Sequence, residues 1–230
     1  MSQQTHILTE LPRPELTDAS YFDLAAARAA LAERRPLANP PIELVHWAGL
    51  NFANNFENDP IQNALRQGKF YEERELTVLK RMLPLDATYV DIGANIGNHA
   101  VFFAKRMRAA RVIAFEPNPL ALAPLMANIV LNRLEHVIVT DHLGLGLSDR
   151  AGSGFGMGQH DRNLGATELR ADSGEIAVET GDRLLADETP DLIKLDVEGM
   201  EMKVLAGLEA TIARTRPLML VEVTDTNSAA

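Results

Sequence analysis

Residues 90–99 read VDIGANIGNH, an apolar segment that runs into a glycine-containing turn and then into a helical pattern. The apolar residues predict a buried strand at 89–92, and the residues after the turn predict a helix at 98–108. Gly93 and Gly97 stand where the backbone turns tightly and can approach a ligand without interference from a Cβ atom. Strand, turn and helix in this order predict a small-molecule site at the end of the strand.

The spacing of the glycines distinguishes a dinucleotide site from a site for a cationic amino-acid cofactor. The dinucleotide fingerprint G-x-G-x-x-G does not fit, because Asn95 and Asn98 occupy its second and third glycine positions and leave less room for a pyrophosphate. Asp91, in contrast, can accept from an ammonium group, directly or through water. The pattern D-x-G-x-N-x-G therefore favours a cationic amino-acid cofactor, and an NAD-type oxidoreductase is the weaker alternative.

A second acidic residue follows the next predicted strand. This strand is expected at residues 111–115, and Glu116 ends it about 20 residues after Gly97, the spacing at which an acid accepts from ribose hydroxyls in such folds. The alternative is structural: Asp91 would be a turn residue, and Glu116 would cap the helix that begins at Pro119. Because the glycine turn and Glu116 occur together at the expected spacing, cofactor binding is the favoured interpretation.

The chain from Thr88 onward alternates short β-branched runs with helical segments, which predicts an α/β fold with a doubly wound, mostly parallel sheet. Residues 152–165 are too rich in glycine for a helix and predict a loop or hairpin beside the site, with an extra strand at 175–180. Further strands are predicted at 137–140, 192–196 and 218–223, and further helices at 119–132 and 200–214.

The first part of the chain is less clearly patterned. We predict an N-terminal extension at 1–67, a helical arm or lid that contains a helix at Tyr21–Arg34, followed by the catalytic domain at 68–230. Residues 42–56 have no clean period and give no assignment. Helices are predicted at Pro60–Arg66 and Glu72–Met82.

Composition limits the classes of partner and compartment. The net charge is −10 and the basic residues are dispersed, so no nucleic-acid footprint is expected. The chain has no cysteine, which excludes disulfides, thiolate metal sites and cysteine nucleophiles. No leader or membrane span is predicted, so we expect a soluble, cytoplasmic protein.

The segment 191–201, DLIKLDVEGME, carries charge on a strand that should be central. A period of two places Lys194 and Asp196 on the same side of this strand. A buried lysine needs a partner, and Glu222 on the next strand is a candidate. Asp196 lies at the carboxyl end of its strand, where open α/β sheets bind ligands, so we expect a chemical role for it.

Several passages of the sequence resemble the FkbM family of S-adenosylmethionine-dependent methyltransferases, over about Gly68 to Val223. The passages are QGKFYEERELTVLKRML, YVDIGANIGNHAVFFAKR, VIAFEPNPLALAPLMANIVLN and DLIKLDVEGMEMKVLAGLEATI, followed by LMLVEV. The resemblance implies a Rossmann-like class I methyltransferase domain that methylates a hydroxyl of a small molecule, sugar or natural product. Position by position, it implies the following cofactor-binding residues: Asp91, Gly93, Asn95 and Gly97 at the methionine end, and Glu116 at the ribose with Asn118 close by.

Methyl transfer to a hydroxyl requires alignment and removal of the hydroxyl proton. Asp196 is the preferred general base and Glu198 the alternate, while His99 and His160 are weaker candidates. A metal-assisted variant would use Asp196, Glu198 and Glu222 as oxygen ligands, but no metal is assigned.

The C-terminus departs from the pattern of class I methyltransferases, which continue past the fifth strand into a helix and a two-stranded hairpin. This sequence stops at Ala230, so the sheet is expected to lack its last two strands and to expose an edge. The N-terminal arm or a second copy in a homo-oligomer would cover that edge, or the chain is a truncated variant. A non-catalytic S-adenosylmethionine-binding protein is therefore a further alternative.

Overall fold

The computed structural model describes residues 5–7, 29, 43–56, 59–158 and 167–222. The strands are β1 (Thr5–Ile7), β2 (Glu43–Trp47), β3 (Leu50–Asn54), β4 (Thr88–Ile92), β5 (Arg111–Phe115), β6 (Ile138–Val139), β7 (Leu145–Leu147), β8 (Gly152–Met157), β9 (Leu169–Arg170), β10 (Ile176–Glu179), β11 (Leu192–Leu195) and β12 (Leu218–Val221). The helices are α1 (Pro60–Arg66), α2 (Glu73–Met82), α3 (Asn98–Lys105), α4 (Pro119–Leu131), α5 (Gly181–Leu184), α6 (Glu201–Ala206) and α7 (Glu209–Thr215). None of these described helices is long and apolar enough to cross a membrane.

The central sheet contains five parallel strands in the order β12-β11-β4-β5-β6. The chain runs outward from β4 to β6 on one side and then crosses to β11 and β12 on the other. The strand order therefore reverses beside β4, which is the switch point where open α/β sheets form a ligand crevice. This arrangement confirms the predicted doubly wound, mostly parallel α/β fold, with β12 as an edge strand among the described residues.

Apolar residues cover both faces of this sheet. Val90 and Ile92 of β4 pack into the core that contains Ile193 and Leu195, whereas Tyr89 packs into the core beneath α3 and α4. Strands that are buried on both faces consist almost entirely of hydrophobic residues, and β11 is buried along its whole length. The carboxyl ends of β4, β5 and β11 are thereby held at one edge of a rigid layer.

The glycine-rich part of the chain belongs to a second sheet, in the order β7-β10-β8-β9. Strand β8 begins at Gly152 and pairs antiparallel with both β10 and β9, so the predicted hairpin and the predicted extra strand are confirmed where the structure describes them. Residues 159–166 of that segment, including His160, lie outside the described residues.

The stretch that had no assignment forms a β-hairpin, β2–β3, which pairs with β1 in a third sheet. Amide side chains occupy the outer edge of β3, since every second backbone N–H donates to one of them. Asn132 accepts from Asn51 N at 3.0 Å, Asn128 from Ala53 N at 2.6 Å, and Gln62 from Asn55 N at 2.8 Å. The hairpin is thus attached to α4 and α1 by side chains.

The described part of the predicted N-terminal extension contains this hairpin and α1, so it is not helical throughout. Helices α1 and α2 occur where they were predicted. The expected helix at Tyr21–Arg34 lies outside the described residues except for Ala29, which is helical. The boundary between the extension and the catalytic domain stays a prediction.

Candidate active site

A cleft opens at the carboxyl ends of β4, β5 and β11, next to the switch point. One wall is apolar and combines the central sheet with the second sheet. Its side chains include Phe115, Leu145, Leu147, Met157, Leu169 and Met200. The other wall is polar and contains Asn95, Glu116, Asn118, Asp196 and Glu198. An apolar pocket with a few convergent polar groups is the usual form of a small-molecule site.

Glu116 is buried in the polar wall, with 6% of its surface exposed. Its Oε2 accepts from Asn95 N and its Oε1 accepts from Asn118 N, both at 2.7 Å. Burial raises the pKa of Glu116 to about 7, although these two backbone bonds oppose the shift. A carboxylate held in this way keeps lone pairs for hydroxyl donors.

Asn118, and not Glu116 as in the structural alternative, is the N-cap of α4. Asn118 Oδ1 accepts from Leu120 N at 3.1 Å, and Pro119 occupies the first turn, where its missing N–H costs nothing. Glu116 instead connects the two loops that follow β4 and β5.

The turn after β4 requires its glycines for packing. Gly93 has a φ of +78°, and a Cβ atom there would lie 1.8 Å from the backbone oxygen of Asp196. Gly97 has a φ of +86°, and its Cβ would lie 2.6 Å from Leu125 Cδ1. Close contact with the Asp196 backbone therefore excludes a side chain at Gly93. At Gly97 the nearest atom is the end of the Leu125 side chain, so the positive φ expected of a tight turn is the main restriction there.

A buried ion pair lies beneath this turn. Lys194 of β11 is in register with Asp91 of β4, and its Nζ lies 3.3 Å from Asp91 Oδ1 and 3.4 Å from Asp196 Oδ2. Nζ also donates to the Gly93 carbonyl oxygen at 2.7 Å. Burial alone would lower the pKa of Lys194, but the charges of Asp91 and Asp196 raise it. The lysine therefore pairs with Asp91 and Asp196, and the predicted partner Glu222 is not its ion-pair partner.

Further carboxyl groups lie around the end of β11. The side chain of Asp196 is 26% exposed, and Glu198 has a φ of 34°, in the left-handed region that favours glycine. Burial, together with the charges of Asp196, Glu72 and Glu198, raises the pKa of Glu222 to about 7. Among the residues that the structure describes, no three His, Asp or Glu side chains could together hold a metal ion.

His99 is buried beside this group of acids. Its Nε2 lies 3.1 Å from Glu72 Oε2, and this contact lowers the pKa of the Glu72 carboxyl. The His99 ring also stacks on Phe103, with centroids 6.2 Å apart. These contacts give His99 a packing and pairing role within the described part of the chain.

The structure places most of the predicted site residues in one cleft. Those that line it are Gly93, Asn95, Glu116, Asn118, Asp196 and Glu198. Asp91 and Gly97 lie behind the wall, where they contact Lys194 and Leu125. Sequence reasoning predicted a glycine-rich hairpin beside the site but named none of the apolar side chains of the second sheet. It also missed Asn128, whose polar side chain within the apolar helix α4 was the available signal.

Comparisons with known proteins point to one protein family. The family model described as methyltransferase FkbM domain matches residues 91–230. The chain is 33% identical to hexuronic acid methyltransferase AglP of Haloferax volcanii over 126 residues, 51% of this chain and 48% of that protein. It is 31% identical to 2-O-methyltransferase NoeI of Sinorhizobium fredii over 150 residues, 57% of this chain and 61% of that protein.

The chain spans less than two thirds of the length of the curated relatives it matches. Among solved structures, it is similar to methyltransferase FkbM from Methylobacillus flagellatus with a TM-score of 0.43 and 22% identity. That match covers 59% of this chain and 32% of the other.

The close approach at Gly93 gives a prediction about stability. Gly93→Ala should lower the free energy of unfolding by more than about 3 kcal/mol, because the methyl group displaces the end of β11 in addition to straining the backbone. Gly199→Ala is the matched control: Gly199 has a φ of +81°, and a Cβ atom there would meet nothing beyond its chain neighbours within 4 Å, so only strain of about 1 kcal/mol applies. Denaturant unfolding of both variants measures the difference, and equal losses would contradict the packing role.

Proposed function

Because the chain belongs to the methyltransferase FkbM family, we propose that it binds S-adenosylmethionine in the cleft and methylates a hydroxyl oxygen of a small molecule or sugar. The observation that carries the proposal is the buried Glu116 carboxylate, which two loop N–H groups fix at the polar wall. The names of two relatives, a hexuronic acid methyltransferase and a 2-O-methyltransferase, support an oxygen acceptor.

The described residues fit this cofactor. Glu116 would accept from the two ribose hydroxyls, and the apolar wall at Phe115 and Leu145 would pack against the adenine. Asp196 and Glu198 line the same cleft, and their negative charge suits a cationic ligand. S-adenosylmethionine supplies a methyl group on a positively charged sulfonium, ready for direct transfer.

Asp196 is the proposed general base. It is partly exposed in the cleft, and Lys194 Nζ at 3.4 Å holds its carboxylate in place. Lys194 also contacts Asp91 and the Gly93 carbonyl oxygen, so Asp196 neutralises only part of the positive charge of the lysine. Glu198, in the same wall, is the alternate base.

The acceptor is proposed to bind in a second groove, between α1 and the start of α2. Asn63, Gln67 and Tyr71 line it and can bind hydroxyl groups as donors and acceptors. Burial and the charges of Glu72, Glu222 and Asp196 raise the pKa of Tyr71, so this groove lies within electrostatic range of the proposed base.

Cofactor affinity should depend on pH through Glu116. Because the pKa of Glu116 in the free protein is raised to about 7, binding through its carboxylate releases a proton at lower pH. The dissociation constant should be constant above about pH 8 and rise by up to about tenfold per pH unit below 7. Calorimetric titration at several pH values measures it.

Glu116→Gln is the matched control for this titration. The variant should bind S-adenosylmethionine about 10- to 100-fold more weakly at pH 8, because charge-assisted hydrogen bonds are lost, and its affinity should change little with pH. A parent and a variant with the same pH dependence would show that another group, such as Glu222, is responsible.

Asp196→Asn tests the chemistry. The variant should keep its affinity for S-adenosylmethionine but lose about 100- to 10,000-fold in single-turnover rate, the usual range for a positioned base. Its stability loss should stay well below the roughly 3–5 kcal/mol of a broken buried pair, since Lys194 retains Asp91. The rate is measured by product mass on an acceptor found in a screen of hydroxylated compounds.

Glu198→Gln is the comparison for that experiment, and it should retain the rate within about tenfold. A slow Glu198→Gln beside a fast Asp196→Asn would assign the base to Glu198. A parent protein that binds the cofactor and methylates none of the acceptors would favour the non-catalytic alternative.

A further inference from the structure

Three buried side chains from three different elements hold the backbone of the turn at residues 93–97. Glu116, after β5, accepts from Asn95 N, and Lys194 of β11 donates to Gly93 O. The third is Asn128 of α4, whose Nδ2 donates to Ile96 O at 2.7 Å. The first two belong to the polar machinery already described, whereas Asn128 lies outside the cleft walls.

The other end of the Asn128 amide reaches the N-terminal hairpin. Its Oδ1 accepts from Ala53 N of β3 at 2.6 Å, and the side chain is fully buried. A backbone N–H can only donate and a carbonyl oxygen can only accept, so these two partners fix the orientation of the amide. One planar group therefore spans from the edge of β3 to the turn beside Glu116.

We infer that Asn128 is a positioning residue for the cofactor turn, and that through it the β2–β3 hairpin belongs to the cofactor-binding unit. The inference rests on the proposed function, because it concerns affinity for S-adenosylmethionine. It extends that function to a segment, residues 43–54, which lies before the family match at 91–230.

The conformation of the turn explains why Asn128 should affect cofactor affinity. Asn95 has a φ of 50°, in the left-handed region that asparagine tolerates better than most other non-glycine residues. Glu116 fixes the peptide group before Asn95, at Asn95 N, and Asn128 fixes the peptide group after Ile96, at Ile96 O. Loss of the Asn128 donor leaves a buried carbonyl without its partner, so the turn has reason to relax and to move the Asn95 N–H that orients Glu116.

Asn132 provides a matched control one helical turn away. It is buried, accepts from Asn51 N at 3.0 Å and donates to Asn51 O at 2.6 Å. It therefore binds the same hairpin with the same chemistry, but its partners are in β3 and α4 and not in the cofactor turn. Substitution of asparagine by aspartate at either position keeps the acceptor for the β3 N–H and removes the amide donor.

The experiment compares Asn128→Asp and Asn132→Asp by calorimetric titration with S-adenosylmethionine, with melting temperatures recorded on the same preparations. Asn128→Asp should bind about tenfold more weakly, while Asn132→Asp should stay within about twofold of the parent and both melt earlier. Unchanged affinity in Asn128→Asp, or equal losses in both variants, would overturn the inference. A parent without measurable affinity would instead overturn the proposed function.

A measurement on the parent protein covers the case in which Asn128→Asp does not fold. Coupling is reciprocal, so S-adenosylmethionine should slow hydrogen exchange at the Ala53 amide, which donates to Asn128, by about tenfold. The Asn51 amide, which donates to Asn132, should change less than about twofold. Equal protection of the two amides, or none at Ala53, would contradict the role of Asn128.

Discussion

The turn at residues 93–97 is the constraint on which the site depends. Its backbone passes so close to the end of β11 that Gly93 cannot carry a side chain, and Asn95 adopts a left-handed conformation. Three of its backbone groups form hydrogen bonds with buried side chains: Asn95 N with Glu116, Gly93 O with Lys194, and Ile96 O with Asn128. The conformation of the turn is therefore set by residues from three parts of the chain that only the fold brings together.

Electrostatics at the cleft follows from burial. Lys194 remains protonated because Asp91 and Asp196 surround it, and a buried pair of this kind contributes more to a defined arrangement than to net stability. Glu116 has no cationic partner in ion-pair contact among the described residues, so burial raises its pKa to about 7. The site thus combines a lysine whose charge is fixed with a carboxyl group whose pKa lies near neutral pH.

The sequence predicted the parts that local pattern determines. The β4 turn, Glu116 and the strand ending at Asp196 could be located because each motif is contiguous and its spacing reflects the βα unit. The pairing of Lys194 with Asp91 could not be predicted, since it depends on the register between β4 and β11. The β2–β3 hairpin was missed because amides distant in sequence satisfy its edge, which leaves no periodic signal.

The central claim is that the cleft binds S-adenosylmethionine, and the most direct test is thermal unfolding of the parent protein with S-adenosylmethionine and NAD in parallel. A ligand that binds only the folded state raises the melting temperature, and the gain in stability grows with the logarithm of the ratio of ligand concentration to dissociation constant. Our account predicts stabilisation by S-adenosylmethionine and none by NAD at equal concentration. Stabilisation by NAD alone would contradict it and would identify the cleft as a dinucleotide site.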